Sequence, residues 1–264
     1  MRATARVRIV MASLGIMALV AGGGRLAAAE AACAPPQGSI FHVCEGYGTA
    51  RLMLLPEDWP PTQGPNPGEL IVSGGYTGRD AREGGLAAPV GLLIRDGQVI
   101  GRNIARMDGI LLIGADGVPA LHPRGAVKLG AERYDLGPLN ERQAFFDAAR
   151  AGGISALQSH LLVIDGRVDT REVEGAPVAR RRILYTRGGG FGVWQSDQAL
   201  TLDAAARRLA AEVAPDMALN LDMGSFDFCL AGLEGSSAQS CGAIAPQQLP
   251  GRLSNLLRLS PGAR

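Results

Sequence analysis

Three short stretches of this 264-residue sequence place a polar or glycine residue where an apolar run stops. The first is Asn220-Leu221-Asp222-Met223-Gly224-Ser225, following Met217-Ala218-Leu219. A carboxylate at a strand end, in a glycine-bearing turn, is well placed to act as a general base. The same spacing also suits an Asx turn, in which Asp222 only caps its own backbone. The second is Leu70-Ile71-Val72-Ser73-Gly74-Gly75-Tyr76. Glycines lacking a Cβ let backbone amides approach a ligand, and such a turn forms an anion-binding nest; a plain tight turn has the same composition. The third is Arg180-Arg181-Arg182 leading into Ile183-Leu184-Tyr185. A guanidinium fork matches phosphate oxygens bidentately, whereas a solvated edge strand with one buried ion pair reads the same way. The nearby Arg187-Gly188-Gly189-Gly190-Phe191-Gly192 lacks the Lys-Ser/Thr ending and following helix of a phosphate loop, so it reads as a hairpin turn.

The elements that must position these stretches are mostly strands. Leu92-Leu93-Ile94 leads to Asp96-Gly97, Ile110-Leu111-Leu112-Ile113 to Asp116-Gly117, and Leu161-Leu162-Val163-Ile164 to Asp165-Gly166. Asp-Gly supplies the positive φ angles of a type I′ turn, so each predicts a β-hairpin. The runs are apolar rather than alternating, which predicts sheet covered on both faces. One helix is predicted from an Asn140 N-cap, with Gln143 as capping-box partner, to about residue 151 and the stop at Gly152-Gly153. A second begins at Thr201 and ends before Pro215; Leu202, Ala205, Leu209 and Val213 form its core stripe. One more strand is expected near residues 253–259. Residues 56–68 hold five prolines and predict a surface loop, with Trp59 either its lid or a sugar-stacking platform. The expected fold is α+β: a single domain with a mixed, mainly antiparallel sheet rich in Asp-Gly hairpins and helices packed on it.

The ends and composition bound the function. Arg2, Arg6 and Arg8 precede an uncharged apolar run over residues 9–21 and the small-residue tract Ala27-Ala28-Ala29. That pattern predicts a signal peptide over residues 1–29, with the working domain at 30–264. The run is shorter than the ~20 residues a membrane span needs, so no span is expected after cleavage. Glu30-Ala31-Ala32 before Cys33 fits a lipid-attachment site poorly, and no twin-arginine pair is present. The expected location is the periplasm or the outside of the cell. Lys+Arg 26 against Asp+Glu 25 leaves a net charge of +1, which argues for no nucleic-acid partner. Four cysteines, Cys33, Cys44, Cys229 and Cys241, suggest disulfides in an exported chain. Three connectivities exist, and local pairing of Cys33 with Cys44 and Cys229 with Cys241 is the simplest. A zinc site is disfavoured: no Cys-x-x-Cys occurs, and His42, His122 and His160 are scattered. Each histidine reads as a surface or capping residue. The acids are too dispersed for a calcium loop.

In order along the chain, these motifs resemble those of the phosphodiester glycosidase family. That family shows a strand ending in Asn-Gly-Gly-Phe/Tyr, a Pro-x-Gly-Leu hairpin, a Gln-Ser-Gly-Pro segment, an arginine opening a strand, a helix, and a strand ending in Leu-Asp-Gly-Gly/Ser. Here stand Ser73-Gly74-Gly75-Tyr76, Pro89-Val90-Gly91-Leu92, Gln158-Ser159-His160, Arg181, the Thr201 helix and Leu221-Asp222-Met223-Gly224-Ser225. The resemblance covers roughly residues 40–258. Ser73 replaces Asn, Thr77 an aromatic or hydrophobic residue, Ser159-His160 the Ser-Gly-Pro, and Met223 a glycine. The resemblance implies an exported glycosidase that cleaves a sugar-1-phosphodiester in a phosphorylated saccharide or glycan. Asp222 and Arg181 would be catalytic, and Ser73, Gly74, Gly75, Tyr76, Gln158, Gly224 and Ser225 would bind substrate. Arg181 and the Gly74-Gly75 amides would stabilise the leaving phosphate. No cofactor is implied, and a divalent metal is left open. The departures at Ser73 and Met223 favour the alternative of an inactive relative that binds an anionic saccharide; a structural envelope protein is a third.

Overall fold

The computed structural model describes residues 43–60, 64–80, 85–235 and 238–262. The expected signal peptide, Cys33 and His42 lie outside these residues. Among the described residues no helix is long and apolar enough to cross a membrane.

Two large antiparallel sheets make the frame. The first has ten strands in the order β13 (Arg167–Val168), β12 (Leu161–Ile164), β16 (Met217–Asn220), β14 (Arg182–Arg187), β15 (Gly190–Gln195), β1 (Val43–Leu54), β19 (Asn255–Pro261), β2 (Leu70–Ser73), β17 (Cys229–Ala231) and β18 (Gln239–Ser240). The second has five: β6 (Gln98–Gly101), β5 (Leu93–Arg95), β11 (Ser155–Ser159), β7 (Gly109–Ile113) and β8 (Pro119–Pro123). Among the described residues two small hairpins, β3 (Thr77–Asp80) with β4 (Leu86–Pro89) and β9 (Val127–Leu129) with β10 (Glu132–Tyr134), complete the strands, and two α-helices, α1 (Leu139–Ala151) and α2 (Leu202–Val213), accompany them.

Side-chain alternation along the strands assigns each face. Leu184 of the larger sheet turns toward the smaller one, where Leu70, Val72, Leu219 and Leu257 meet Leu93, Leu111 and Leu157 in a shared core. Its neighbours Ile183 and Tyr185 turn the other way and pack, with Trp194, against Ala205, Ala206 and Leu209 of α2. On the outer face of the five-stranded sheet, Phe145, Phe146 and Ala149 of α1 cover Ile94, Ile110 and Leu112. The remaining outer face, carrying Ile71 and Leu256, is covered by Phe228, Leu249 and Leu253, with Trp59 edge-on to Phe228 at 5.5 Å. Trp59 is therefore a lid on this core. Both large sheets are covered on both faces, as their apolar runs predict.

Local signals account for most turns. Asp96-Gly97 and Asp165-Gly166 have paired positive φ angles, 48° with 79° and 48° with 75°, which closes both hairpins as type I′ turns. Gly188-Gly189, at 56° and 82°, turns β14 into β15. The third Asp-Gly differs. Only Gly117 has a positive φ, and a loop over 114–118 is closed by Gly117 N–H to Gly114 O and by the Asp116 carboxylate accepting from Val118 N–H. Helix α2 begins as predicted, with the Thr201 hydroxyl accepting from Ala204 N–H. Helix α1 begins earlier than Asn140: its N-cap is Pro138, which has no side-chain acceptor, and Glu141 instead reaches back to the Asp135 amide.

Two expectations need revision or completion. The strand after the three arginines is interior, between β16 and β15, and not an edge. Its buried ion pair is Arg182 with Asp227 at 3.0 Å, reinforced by Gln195 Oε1 and the Phe228 carbonyl. The Cys229–Cys241 disulfide is present, with Cα atoms 4.8 Å apart, and pins β17 to the residue after β18 at the sheet edge.

Candidate functional site

The site lies where three strand ends meet. Strands β14 and β16 pair with Ile183 opposite Asn220, and the ladder continues with Leu221 N–H donating to Arg182 O. The next residue on each strand is Arg181 and Asp222, so antiparallel register sets both at the same end of the sheet. The turn after β2 joins them: Asp222 N–H donates to Gly74 O at 2.9 Å, and Thr77 N–H donates to Asp222 Oδ2 at 2.9 Å. Tyr76 lies between these two bonds and comes within electrostatic range of both Arg181 and Asp222.

A cavity of about 600 Å³ opens beside this junction; Arg181 and Thr77 line it, and Asp222 lies behind Thr77 rather than in the lining. Its polar lining includes Tyr76, Thr77, His160 and Arg181. Two exposed arginines, Arg106 and Arg171, also line it. The acid in the lining, Asp203, is held by Arg207 Nε at 2.8 Å and by the Thr170 hydroxyl, so its charge is compensated. The cavity is thereby electropositive, a setting that favours an anionic ligand.

Burial and hydrogen bonding set the protonation states. Asp222 is 2% exposed, and burial without a contacting cation raises its pKa from 3.8 to about 7, against the Thr77 and Met223 amides that favour the anion. Tyr76 is pushed up to about 12, mainly by burial, and stays protonated at neutral pH. Its hydroxyl accepts from Asn220 Nδ2 at 2.7 Å, while the other Nδ2 proton goes to Leu221 O. The phenolic proton is thus left to donate. Among the described residues Asn220 Oδ1 is buried without a partner. His160 stands edge-on to Tyr76 at 5.7 Å; burial lowers its pKa despite Asp108, and Arg181 lowers it further, so it is neutral at pH 7. The Arg181 guanidinium is buried; Nε donates to Leu200 O and Nη2 to Pro177 O, which aims the side chain into the cavity and leaves Nη1 for a ligand.

The raised Asp222 pKa has a consequence for stability. Between pH 4 and 7 the folded protein holds a proton that the unfolded chain has released, so stability falls as pH rises through this window. A rise from 3.8 to about 7 corresponds to about 4 kcal/mol. In urea titrations the stability of wild type relative to Asp222→Asn should drop by roughly that amount from pH 4 to pH 8 and change little above it. A constant difference across the range would contradict a buried, uncompensated carboxylate.

Other predicted site residues do structural work. The Gly74 and Gly75 amides are not free for an anion: Gly74 N–H donates to Asn255 O at 3.3 Å and Gly75 N–H to Asn255 Oδ1 at 2.7 Å. This overturns the expected nest, because an asparagine of β19 already occupies the donor side of the turn. Asn255 Nδ2 returns a bond to Gly75 O. A Cβ on Gly74 would stand 2.2 Å from Asn255 Oδ1, so Gly74→Ala should cost about 1–3 kcal/mol by overpacking, read as a lower urea midpoint at unchanged slope. Ser73 is fully buried; its hydroxyl donates to Phe226 O and accepts from Phe228 N–H, sewing residues 226–228 onto β2. Gln158 has every amide atom engaged: Oε1 accepts from Leu92 and Ala105 N–H, and Nε2 donates to Ala105 and Met107 O. It positions the 105–107 wall of the cavity and has no polar atom left for a ligand. Gly224 and Ser225 are exposed in the turn beyond Met223 and do not line the cavity.

The structure gives roles to three residues that the sequence named without assigning to the site. His160 immediately follows β11 and belongs to the cavity rather than to an open surface. Asn220, two residues before Asp222 and so on the same side of the strand, orients Tyr76. Thr77 bonds Asp222 through its amide and Ser254 through its hydroxyl. Among the described residues no cluster of three or more His, Cys, Asp or Glu could hold a metal ion.

No family model matches the chain, and no curated protein matches it in sequence. Several solved structures follow a similar course. The zebrafish N-acetylglucosamine-1-phosphodiester alpha-N-acetylglucosaminidase catalytic domain, auto-inhibited by its pro-peptide, aligns with 14% identity and a TM-score of 0.48, over 83% of this chain and 76% of that one. A Burkholderia pseudomallei protein described as exported aligns with 13% identity and a TM-score of 0.46, over 83% and 73%. A hypothetical protein from Synechocystis aligns with 14% identity and a TM-score of 0.43, over 83% and 58%. The relationship these figures show is a distant structural one.

Proposed function

We propose that this protein is an extracytoplasmic hydrolase of sugar-1-phosphodiesters, with Asp222 as general base and Arg181 as the phosphate's counter-charge. The observation that carries the reading is the pairing of opposite electrostatics at one strand-end junction. The cationic cavity containing Arg181 is lined by Thr77, whose amide bonds the Asp222 carboxylate just behind the wall, and that carboxyl's pKa of about 7 suits proton transfer at neutral pH. The Cys229–Cys241 disulfide supports an oxidising compartment.

In the proposed reaction a water oxygen bonds to the anomeric carbon as the bond from that carbon to the phosphate oxygen breaks. The phosphomonoester leaves with the electron pair, and the water proton passes to Asp222. A phosphomonoester needs little protonation to leave, so stabilising its charge is the larger demand, and a preorganised donor contributes ~3 kcal/mol to that. Arg181 Nη1 and the Tyr76 hydroxyl are the donors present; the Gly74-Gly75 amides are excluded by Asn255. Neutral His160 adds a further polar contact for the sugar or phosphate.

The test is turnover of a sugar-1-phosphodiester, followed by release of free sugar and of phosphomonoester. The proposal expects both products in equal amounts. Binding without release would make the protein a receptor for anionic saccharides, and equal rates in wild type and Asp222→Asn would remove Asp222 from the chemistry.

A further inference from the structure

The walls of the cavity are more apolar than a saccharide phosphate requires. Beside the polar group lie Val90, Met107, Val173, Pro177 and Leu202. Two of them are large hydrophobic side chains left open to solvent, Val90 at 40% and Val173 at 62% exposure. Val178, on the same segment as Val173, is also exposed. Single exposed apolar residues need no explanation, but a cluster at the mouth of a cavity marks a binding surface. A sugar ring presents hydroxyls and gains little from aliphatic walls, whereas a hydrocarbon chain gains by leaving water.

The charges define the other half of the ligand. Arg181 is buried in the wall, Arg106 and Arg171 are exposed on it, and Asp203 is already paired with Arg207. Three arginines beside an aliphatic surface complement a molecule with a phosphate at one place and hydrocarbon next to it.

We propose that the phosphodiester accepted here is amphiphilic: a lipid-linked sugar phosphate whose alkyl or prenyl chain lies against Val90, Val173, Pro177 and Leu202 while its phosphate meets Arg181, Arg106 and Arg171. This rests on the reading of the cavity as a phosphodiester site and names the group on the far side of the phosphate from the sugar. A soluble glycan phosphate would leave the valine-lined mouth unused.

The experiment is calorimetric titration with octyl methyl phosphate, held below its micelle concentration, and with dimethyl phosphate, against the full chain, Val173→Ser and Arg171→Ala. Each buried methylene is worth roughly fourfold in affinity, so the octyl diester should bind about tenfold tighter or more once two methylenes are covered. Val173→Ser, a neutral change at an exposed position, should weaken the octyl diester by more than it weakens dimethyl phosphate and so narrow that advantage. Arg171→Ala should weaken both diesters. Equal affinity of the two diesters, no binding of either, or an octyl advantage unchanged in Val173→Ser would overturn the proposal. The hydrolysis reading fails separately: an octyl advantage with no turnover of any sugar-1-phosphodiester sinks catalysis alone, and turnover without an octyl advantage sinks the lipid chain alone.

Discussion

Asp222→Asn should lower kcat/KM for a sugar-1-phosphodiester by about a thousandfold at pH 8, within the range general-base catalysis contributes. The geometry underlies the size of the effect. Asp222 accepts the Thr77 amide through Oδ2 in a nearly solvent-free position, so an amide in its place keeps the shape and an acceptor for Thr77 while losing the basicity. The pH profile adds a signature that a merely structural role would lack. A base works when ionised, so the wild-type rate should climb with pH through about 7 and then level off. The neighbours do not blur this limb: Tyr76 stays protonated up to about 12, and His160 is already neutral at the pH where Asp222 titrates. The residual rate of Asp222→Asn should be flat across the same window. A residual rate that still rises near pH 7 would assign the limb to another group.

Removal of the Arg181 charge is the second large effect. Arg181→Leu should reduce kcat/KM by about 10²–10³-fold, the scale observed when a preorganised donor to a developing anion is lost. The loss should fall on kcat as well as KM, because charge on the departing phosphate grows toward the transition state. Arg181→Lys should recover part of the activity but not all of it. A lysine keeps the charge and gives up the fork that bonds Leu200 O and Pro177 O while presenting Nη1 to the cavity. If Lys and Leu lose activity equally, the anchoring of the 177 and 200 segments, and not the charge, is what Arg181 supplies. Circular dichroism on both variants separates either outcome from unfolding.

Much of the frame was legible in the sequence because its signals are local. Asp96-Gly97, Asp165-Gly166 and Gly188-Gly189 form the predicted turns, and Thr201 starts its helix. The α2 stripe of Ala205, Leu209 and Val213 is buried as its spacing predicts. Long-range pairing was not legible. Strand β19, near the end of the chain, sits between β1 and β2 in the larger sheet, and no local pattern announces a partner some 180 positions away. The same distance hides the role of Asn255, which takes the Gly74 and Gly75 amides that composition alone assigns to an anion. Arg181 and Arg182 show the limit most sharply. They are adjacent and chemically identical, yet strand alternation sends Arg182 into a fully buried pair with Asp227 and Arg181 into the cavity. Asp222 was recognisable from its strand end and glycine, but its pKa was not, because burial is a tertiary property.

The same contrast bears on the departures at Ser73 and Met223. Ser73 is an internal fastener rather than a weakened substrate contact, because both its hydrogen-bonding roles are filled by Phe226 and Phe228. Met223 is buried at 8% exposure and does not line the cavity. Neither residue blocks access to Arg181 or Tyr76.

The most direct test of the central claim is hydrolysis of a sugar-1-phosphodiester in ¹⁸O-labelled water, with the products read by mass spectrometry. Attack at the anomeric carbon predicts label in the released sugar and none in the phosphomonoester, at a rate that Asp222→Asn lowers about a thousandfold. Label in the phosphate, or no release of sugar by the wild type, would contradict it.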